Sequence, residues 1–295
     1  MSDLLRVADE VAEALAEHGR VVALETSIVG QGLPPPHNLR AARECEAAIR
    51  KEGAVPATVA VLDGRLHVGL TDADLERVAA NAIKVSSRDL GWAVARGVVG
   101  ATTVAATMRA AAMAGIRFFA TGGIGGVHRG HPEDQSADLF ELSRMPVAVF
   151  CAGAKIILDL PLTLERLESL TVPVLGYGCD EFPAFYTRHS GCPVSSRVDS
   201  PEEAALVLRA SWDTGDRGVV FALPPPAELE GAEELVQRAV RDLANVSGSE
   251  LTPRLLARVA ELSSGKSLDL NVDLVVNNAR VAAQVASAYS ALRRP

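Results

Sequence analysis

Lys155 stands in the segment CAGAKIILDL, residues 151–160, between two apolar runs. A lysine is rarely buried without a partner, because removing an ammonium group from water is costly. One interpretation is a side chain that lays its stem along the core and keeps its charged head in water. The other is a desolvated amine that stays reactive at neutral pH. The residue by itself does not decide between the two.

Three further segments carry polar groups within or beside strand-like runs. Glu25 interrupts the apolar run at 20–29, which the pattern predicts to be a strand, and Lys84 opens the segment KVSSRDL. A glycine-rich loop, residues 121–139, follows the apolar run IRFFA. In open α/β sheets, ligands bind beyond the carboxyl ends of the strands, where loops carry polar groups. Together with Lys155, these segments predict one site.

The glycine-rich loop fits neither a dinucleotide-binding fingerprint nor a Walker A motif, because a histidine stands where the third glycine of the fingerprint belongs. Its backbone amides could cradle one phosphate, with His128, Arg129 and Ser136 nearby. Its glycines could equally form a tight structural turn. Both interpretations of the loop stay open at this point.

The same loop contains His128, His131 and Asp134, which raises the question of a metal. Two histidines three residues apart in a loop are weak support for zinc. Asp134 supplies a hard oxygen ligand, better suited to Mn²⁺ or Mg²⁺ completed by waters. Asp138 either joins such a site or positions the substrate. The alternative is a pair of solvated loop carboxylates.

Composition excludes several classes of protein. Apolar residues make up 48% of the 295-residue chain and charged residues 22%, with a net charge of −8. The negative charge argues against binding to nucleic acid polymers, and no apolar stretch reaches the roughly 18 residues that a membrane span needs. The N-terminus is predicted to be an amphipathic helix rather than a signal peptide, and the four cysteines are scattered. We therefore expect a cytoplasmic protein with reduced thiols.

Strand-like runs alternate with helical patterns through most of the chain, which predicts an α/β fold. We expect a single domain over residues 1–295, with a central mixed sheet flanked by helices on both sides. A helix is predicted over 37–53 and a hairpin over 57–70, where Asp63-Gly64 is a strong turn signal. Further elements are predicted as strands at IRFFATGG, PVAVFCAG, VPVLGYG and GVVFAL, and as a long helix over 274–294.

The chain resembles the pseudouridine-5′-phosphate glycosidase family, also known as indigoidine synthase A-like, from about residue 5 to about residue 292. The resemblance is carried by long motifs in a fixed order: VALETSIVGQGLPPPHN, GAVPATVAVLDG, KVSSRDL, GATTVAATM, FATGGIGGVHRG, SADL, VAVFCAGAKIILDL, FPAF and SLDLNVDLVVNNA. It implies an enzyme that breaks or makes the C–C bond between C1′ of ribose 5-phosphate and uracil. It also implies a homotrimer with a divalent metal, usually manganese, in each active site.

The resemblance further implies roles for individual residues. Lys155 matches the Schiff-base nucleophile, Glu25 the proton donor and Asp134 the metal ligand. Substrate-binding positions are matched by Lys84, Val104, Ser136, Ala137, Asp138 and Asn271, to which the loop adds His128. Ordinary glycosidases use two carboxylates and expel an oxygen leaving group. Carbon is a poorer leaving group than oxygen, which explains why the reaction needs an attacking amine. That amine must be neutral to attack, which a second cation such as Lys84 favours.

Several positions depart from the family pattern. Gln31 stands where a histidine is common, Ser87 where an arginine is usual and Leu223 where an asparagine is usual. These changes leave the ribose-phosphate chemistry intact and put uracil in question, since some relatives attach ribose 5-phosphate to an aromatic natural product, as in alnumycin-type C-ribosylation. A class I aldolase-like lyase would also use a lysine, and a sugar-phosphate sensor would need no lysine. Neither alternative accounts for Glu25 and Asp134 together with Lys155.

Overall fold

A computed structural model describes residues 4–17, 19–155, 157–215, 217–243 and 251–292. Its strands are β1 (Leu5–Val7), β2 (Val21–Leu24), β3 (Val55–Leu62), β4 (Arg65–Val68), β5 (Ile83–Val85), β6 (Gly100–Thr102), β7 (Phe118–Ala120), β8 (Val127–His128), β9 (His131–Gln135), β10 (Ala148–Cys151), β11 (Leu158–Asp159), β12 (Val174–Tyr177), β13 (Ser196–Val198) and β14 (Val219–Ala222). Its helices are α1 (Asp9–Ala16), α2 (His37–Lys51), α3 (Asp72–Asn81), α4 (Leu90–Ala95), α5 (Val104–Ala114), α6 (Ala137–Leu142), α7 (Leu160–Ser169), α8 (Pro201–Thr214), α9 (Ala232–Asp242), α10 (Leu251–Leu262) and α11 (Lys266–Ala291).

Most of the strands form one mixed sheet in the order β1-β4-β3-β2-β7-β10-β14-β12-β13, with β6 bridging β3 and β5. The central strands β2, β7, β10, β14 and β12 run parallel, and β3 pairs antiparallel with β4 and β6. Helices α2, α8 and α11 pack together on one face and α5 with α6 on the other. The predicted α/β fold with a mixed central sheet is therefore confirmed. Every residue of β2, β7, β10 and β14 is buried, as expected for strands covered on both faces.

Local sequence signals correctly predicted several elements. The hairpin β3–β4 turns at Asp63 and Gly64, which both have positive φ as a two-residue hairpin loop requires. Thr71 and Asp74 form the capping box that opens α3, and α2 ends two residues before Gly53. The long C-terminal helix begins at Lys266, eight residues before its predicted start. No helix of the described residues is long and apolar enough to cross a membrane.

Two predictions of local structure were wrong. The predicted strand 20–29 ends at Leu24, and a π-helical turn covers Ile28–Gly32. The strand ends there because the Thr26 hydroxyl donates to the carbonyl of Val59 (2.7 Å) and accepts from the amide of Thr102 (2.9 Å). Glu25 therefore follows the strand instead of interrupting it.

The predicted N-terminal helix is also shorter than expected. Leu5–Val7 forms β1, which pairs in parallel with β4, and α1 begins only at Asp9. Pairing with β1 covers the outer hydrogen-bonding edge of β4, an edge that would otherwise be open to water or to another chain. Asp9 and Glu10 then place negative charge in the first turn of α1, where the helix dipole favours it.

Candidate active site

The carboxyl ends of three adjacent parallel strands meet at one edge of the sheet. Ala23 of β2 is paired with Phe119 of β7, and Phe118 of β7 with Ala148 of β10. Glu25 follows β2 directly, and Lys155 comes four residues after the end of β10. The fold therefore brings these two segments together, as the position of ligand sites in α/β sheets predicts.

Glu25 is 9% exposed, and its two carboxylate oxygens accept hydrogen bonds from the hydroxyls of Ser27 and Thr121. Burial raises the pKa of the Glu25 carboxyl, since the charged form is desolvated. The charge of Lys155 and the two hydroxyl donors oppose that rise, and the charge of Asp138 adds to it. Glu25 is thus a buried carboxyl with a raised pKa, and the charge of Lys155 acts on it.

Lys155 is half-buried on a loop that the glycine-rich segment fixes in place. Its amide donates to the carbonyl of Ile124 (3.2 Å), and its carbonyl accepts from the amide of Leu158 (2.9 Å). Gly153, two residues earlier, has φ +76°, and a Cβ there would lie 1.9 Å from the carbonyl oxygen of Pro183. Only glycine permits this close approach, and the approach sets the course of the chain into Lys155.

Lys84 lies in β5, one residue before Val85, whose carbonyl accepts from the amide of Thr103 at the start of α5. Its side chain is exposed to solvent. The protein around it and the charge of Lys155 lower the pKa of Lys84, while Asp138 and Glu25 oppose that effect. The two lysines and the two carboxylates thus share one electrostatic environment.

Val104 is buried and is the first residue of α5. The next two amides of the helix are occupied, by a carboxylate oxygen of Asp138 and by the hydroxyl of Thr103. Among the described residues the amide of Val104 has no acceptor, as is usual for the first amide of a helix. Its backbone therefore offers a hydrogen-bond donor at the positive end of the helix dipole.

Ser136, Ala137 and Asp138 form the start of α6, where the Ser136 hydroxyl accepts from the amide of Asp138 at 3.2 Å. Asp138 is 5% exposed, and its two oxygens accept from the amides of Ala105 (2.9 Å) and Gly125 (2.8 Å). It ties the glycine-rich loop to the start of α5. A Cβ at Gly125 would lie 2.3 Å from the Ser136 hydroxyl, so that close packing requires glycine there.

The remaining predicted loop residues lie on a hairpin, β8–β9, at the border of the site. His128 is half-buried and pairs in register with His131, whose imidazole lies 3.5 Å from the carboxylate of Glu133. Asp134 is exposed on β9, whereas Asp138 is buried. Within the described residues no group of three or more His, Cys, Asp or Glu side chains is placed to hold a metal. The role of Asp134 as a metal ligand therefore stays a prediction.

Asn271 lies on α11, is 5% exposed, and donates to the hydroxyl of Tyr186 at 2.7 Å. About two turns further along the helix, Asn278 donates to the carbonyl of Thr121 at 2.8 Å, and Thr121 in turn bonds Glu25. Sequence reasoning missed Thr121, Asn278, Ser27 and Tyr186. Thr121 directly follows a strand-like run, and that position could have marked it as a site residue. Asn278 lies on a helix far away in the sequence, and nothing near it in the chain points to the site.

The three departures from the family pattern have different surroundings. The Gln31 amide donates to the carbonyl of Ala82 at 2.6 Å, and Ser87 is half-buried in a short 3₁₀ turn, Ser87–Asp89. Leu223 is 1% exposed, and its amide donates to the carbonyl of Cys151. Leu223 is thus a core residue in this chain, and its side chain gives no information about an acceptor.

Residues 10–288 match the family described as Indigoidine synthase A like protein. A pseudouridine-5′-phosphate glycosidase of Nocardioides sp. is 53% identical over 301 residues, with 98% of each chain covered. Another from Deinococcus radiodurans is 52% identical over 294 residues, covering 96% of this chain and 94% of that protein.

Two solved structures share the fold over nearly the whole chain. A crystal structure of the prealnumycin C-glycosynthase AlnA in complex with ribulose 5-phosphate has a TM-score of 0.90 at 39% identity, covering 99% of each chain. An indigoidine synthase A-like protein from Thermotoga maritima has a TM-score of 0.89 at 30% identity, covering 99% of this chain and 97% of that one.

The fold, with a cluster of two lysines and two carboxylates at its strand ends, is that of an α/β enzyme. The chain belongs to the indigoidine synthase A-like family, as its sequence motifs predicted.

Proposed function

We propose that this protein is a pseudouridine-5′-phosphate glycosidase that cleaves the C–C bond between C1′ of ribose 5-phosphate and uracil. The observation that carries this proposal is the placement of Lys155 and Glu25 in one electrostatic environment at the strand ends. Support comes from relatives at 53% and 52% identity that are glycosidases of this kind. The bond from C1′ to a carbon leaving group breaks more easily when an atom bonded to C1′ supplies electrons. An amine nitrogen bonded to C1′ can supply them through its lone pair.

The proposed reaction begins with attack of the neutral Lys155 amine on C1′. The bond from C1′ to the ring oxygen breaks, Glu25 gives its proton to that oxygen, and Glu25 then takes the proton that the nitrogen loses. The nitrogen lone pair next forms a C=N bond while the bond from C1′ to uracil breaks, and the uracil carbon takes the proton from Glu25. Water adds to the C=N bond and releases ribose 5-phosphate and the free amine.

The sugar phosphate is proposed to bind at the start of α5 and along the glycine-rich loop. Lys84 offers a cation, and the Val104 amide offers a donor at a helix N-terminus, which together suit an anionic group. The sugar hydroxyls are assigned to the remaining predicted positions, Ser136, Ala137, Asp138, His128 and Asn271. The related AlnA binds ribulose 5-phosphate, an acyclic pentose phosphate, which supports a ring-opened sugar on this fold.

The reverse reaction is the second candidate function. The AlnA structure covers 99% of this chain and belongs to a C-glycosynthase, which favours C-ribosylation of an aromatic acceptor with ribose 5-phosphate as donor. The chemistry at C1′ is the same in both directions. The two candidates therefore differ in the acceptor and share the roles of Lys155 and Glu25.

A divalent metal, a homotrimer and a cytoplasmic location are further parts of the proposal. Asp134 would hold Mn²⁺ or a similar hard cation, whose chemistry would be to neutralise anionic oxygens of the substrate. The four cysteines are free thiols, which suits a reducing compartment. Chelation should lower turnover, with Mn²⁺ restoring it in the native protein and not in Asp134→Ala; full turnover after exhaustive chelation would rule out an essential metal.

Turnover of pseudouridine 5′-phosphate is the test of the proposed function. Release of uracil at about 1 s⁻¹ or faster is the expected result for an ordinary enzyme on its own substrate. Lys155→Ala should abolish release, and Lys51→Ala, which removes an exposed lysine on α2, should leave it unchanged. Absence of uracil release from a protein that still forms a Lys155 adduct with ribose 5-phosphate would decide for the synthase.

A further inference from the structure

A small cavity lies behind the Glu25 carboxyl, on the side of the sheet that faces α2 and α11. It has about 20 Å³ of room for the centres of water molecules, and its walls are mostly apolar side chains of β2, α2 and α11. Two polar residues interrupt these walls, Glu25 and Thr58, and the buried thiol of Cys45 adds a weak donor. Leu24 and Thr58 are direct partners on the parallel strands β2 and β3, which explains why Thr58 and Glu25 line the same cavity.

The cavity has the size and the polar lining for one water molecule. A water needs about 10–15 Å³ of such space and two to four polar partners, and the carboxyl and hydroxyl groups provide them. Glu25 would then have a third polar contact, in addition to the hydroxyls of Ser27 and Thr121.

Thr58 also connects this cavity to a second acid. Its hydroxyl donates to a carboxylate oxygen of Glu46 on α2. Glu46 is half-buried. Burial raises the pKa of the Glu46 carboxyl, with smaller effects from the Thr58 hydroxyl, Arg50, Glu10 and Asp72. The mechanism above makes no use of this acid.

We propose that Glu46, Thr58 and one water in this cavity form a proton relay that connects Glu25 with solvent behind the substrate. In one direction the Thr58 hydroxyl first turns its proton from Glu46 towards the water. Glu46 then gives its proton to the Thr58 oxygen, the Thr58 hydroxyl proton passes to the water, and the water passes a proton to the Glu25 carboxylate. Thr58 and the water each accept one proton and give one, so that only Glu46 is left charged until solvent protonates it again. The relay rests on the proposed role of Glu25 as the proton donor.

The relay gives Glu25 a path to solvent protons that does not pass through the substrate site. Glu25 is nearly closed to water, and a substrate bound beside Lys155 covers the side from which solvent would otherwise reach it. Hydroxyl groups and a water can exchange donor and acceptor roles, which a path made of apolar side chains cannot do. Thr58 and Glu46 thus act through Glu25, as positioning residues for its proton.

The first arm of the test does not depend on turnover. The infrared band of the protonated Glu25 carboxyl, assigned by difference against Glu25→Gln, is followed against pH and after transfer to D₂O. Thr58→Val, which keeps the shape and removes the hydroxyl, should slow deuterium exchange at Glu25 and alter its titration. Thr58→Ser should restore both, and Glu46→Gln should slow exchange, with Glu44→Gln on the exposed face of α2 as its control.

Several charged groups surround the two acids. The charges of Lys155 and Asp138 act on Glu25, and Glu25 in turn acts on the charge of Lys84. Glu46 is faced by Glu10 from α1, Arg50 from its own helix and Asp72 from α3. All of these groups are unchanged in Thr58→Val, which makes this variant the decisive one.

The second arm measures turnover. Thr58→Val and Glu46→Gln should lower kcat about tenfold or more while KM stays within about twofold, because general acid–base steps contribute about 10²–10⁴-fold. Deuterium exchange at Glu25 that is as fast in Thr58→Val as in the native protein would overturn the relay, whatever the turnover. Native protein without turnover but with the expected exchange pattern would overturn the proposed function and leave the relay standing.

Discussion

The two carboxylates of the site, Glu25 and Asp138, have hydrogen-bond partners of different kinds. Asp138 accepts from two backbone amides, which can only donate. Glu25 bonds to the hydroxyls of Ser27 and Thr121, each of which can donate or accept. Glu25 can therefore gain or lose a proton without losing a partner, as a proton donor must. Asp138 serves instead to hold the loop and the helix together.

Glu25→Gln should lose activity and gain stability. We expect kcat to fall about 10²–10⁴-fold, together with loss of the alkaline limb of the pH profile that a protonated donor produces. The pKa of Glu25 is raised above its ordinary value of 4.5 in the folded protein, so that the native protein loses stability as pH rises from that value through the raised one. The free energy of unfolding of Glu25→Gln relative to the native protein should increase across this window.

Urea unfolding at a series of pH values measures this difference, and steady-state kinetics measures the activity. Glu13→Gln, at an exposed position of α1, is the control and should follow the native protein at every pH. A Glu25→Gln protein with nearly full activity would assign Glu25 a structural role only.

Asp138→Asn should destabilise the fold. The amide side chain keeps one acceptor oxygen for Ala105 or Gly125 and turns an N–H group towards the other backbone amide. A buried donor left without an acceptor costs about 1–3 kcal/mol. Urea unfolding should reveal a loss of that size, against less than about 0.5 kcal/mol for Asp213→Asn at an exposed position of α8. Equal stability of the two variants would mean that the Asp138 bonds contribute nothing.

At the scale of elements, the loop after β10 depends on close contact between backbones. Gly153 and Gly130 have nearly the same φ, +76° and +73°, but only Gly153 has a neighbour within contact distance of an added Cβ. A substitution at either position carries the strain of the left-handed conformation, about 1–2 kcal/mol. A clash with the Pro183 carbonyl is added at Gly153 alone.

Gly153→Ala should therefore lose about 1–3 kcal/mol more stability than Gly130→Ala, the range found for overpacked interiors. It should also lose most of its activity, because the loop that carries Lys155 must move to relieve the clash. Urea unfolding and turnover of the two variants test this. A Gly153→Ala protein as stable and as active as Gly130→Ala would contradict the role given to this contact.

Elements whose signals are local were predictable from sequence. The turn at Asp63-Gly64, the capping box at Thr71 and the buried strands each depend on residues close together in the chain. The end of β2 at Leu24 was not predictable, because it depends on Thr26 bonding Val59 and Thr102, 33 and 76 positions away. Local sequence signals do not predict where an element ends when that end depends on hydrogen bonds to residues far away in the chain.

At the scale of the whole molecule, the order of strands creates the site. β2, β7 and β10 are neighbours in the sheet although long helical segments separate them in sequence. The sequence motifs predicted Glu25, Lys84 and Lys155 as parts of one site, and the structure brings their charges together. Asn278 and Thr58, whose side chains act on this site from other elements, could not be predicted, because each depends on which strand or helix becomes a neighbour.

The central claim is that Lys155 forms a covalent bond to C1′ of the sugar phosphate, and trapping that bond tests it most directly. Native protein is mixed with ribose 5-phosphate, reduced with borohydride, digested and analysed by mass spectrometry. The mechanism predicts a pentose-phosphate adduct on the peptide that contains Lys155, absent from Lys155→Ala and unaffected by Lys51→Ala. A native protein that releases uracil from pseudouridine 5′-phosphate but gives no adduct at Lys155, or an adduct only at Lys84, would contradict it.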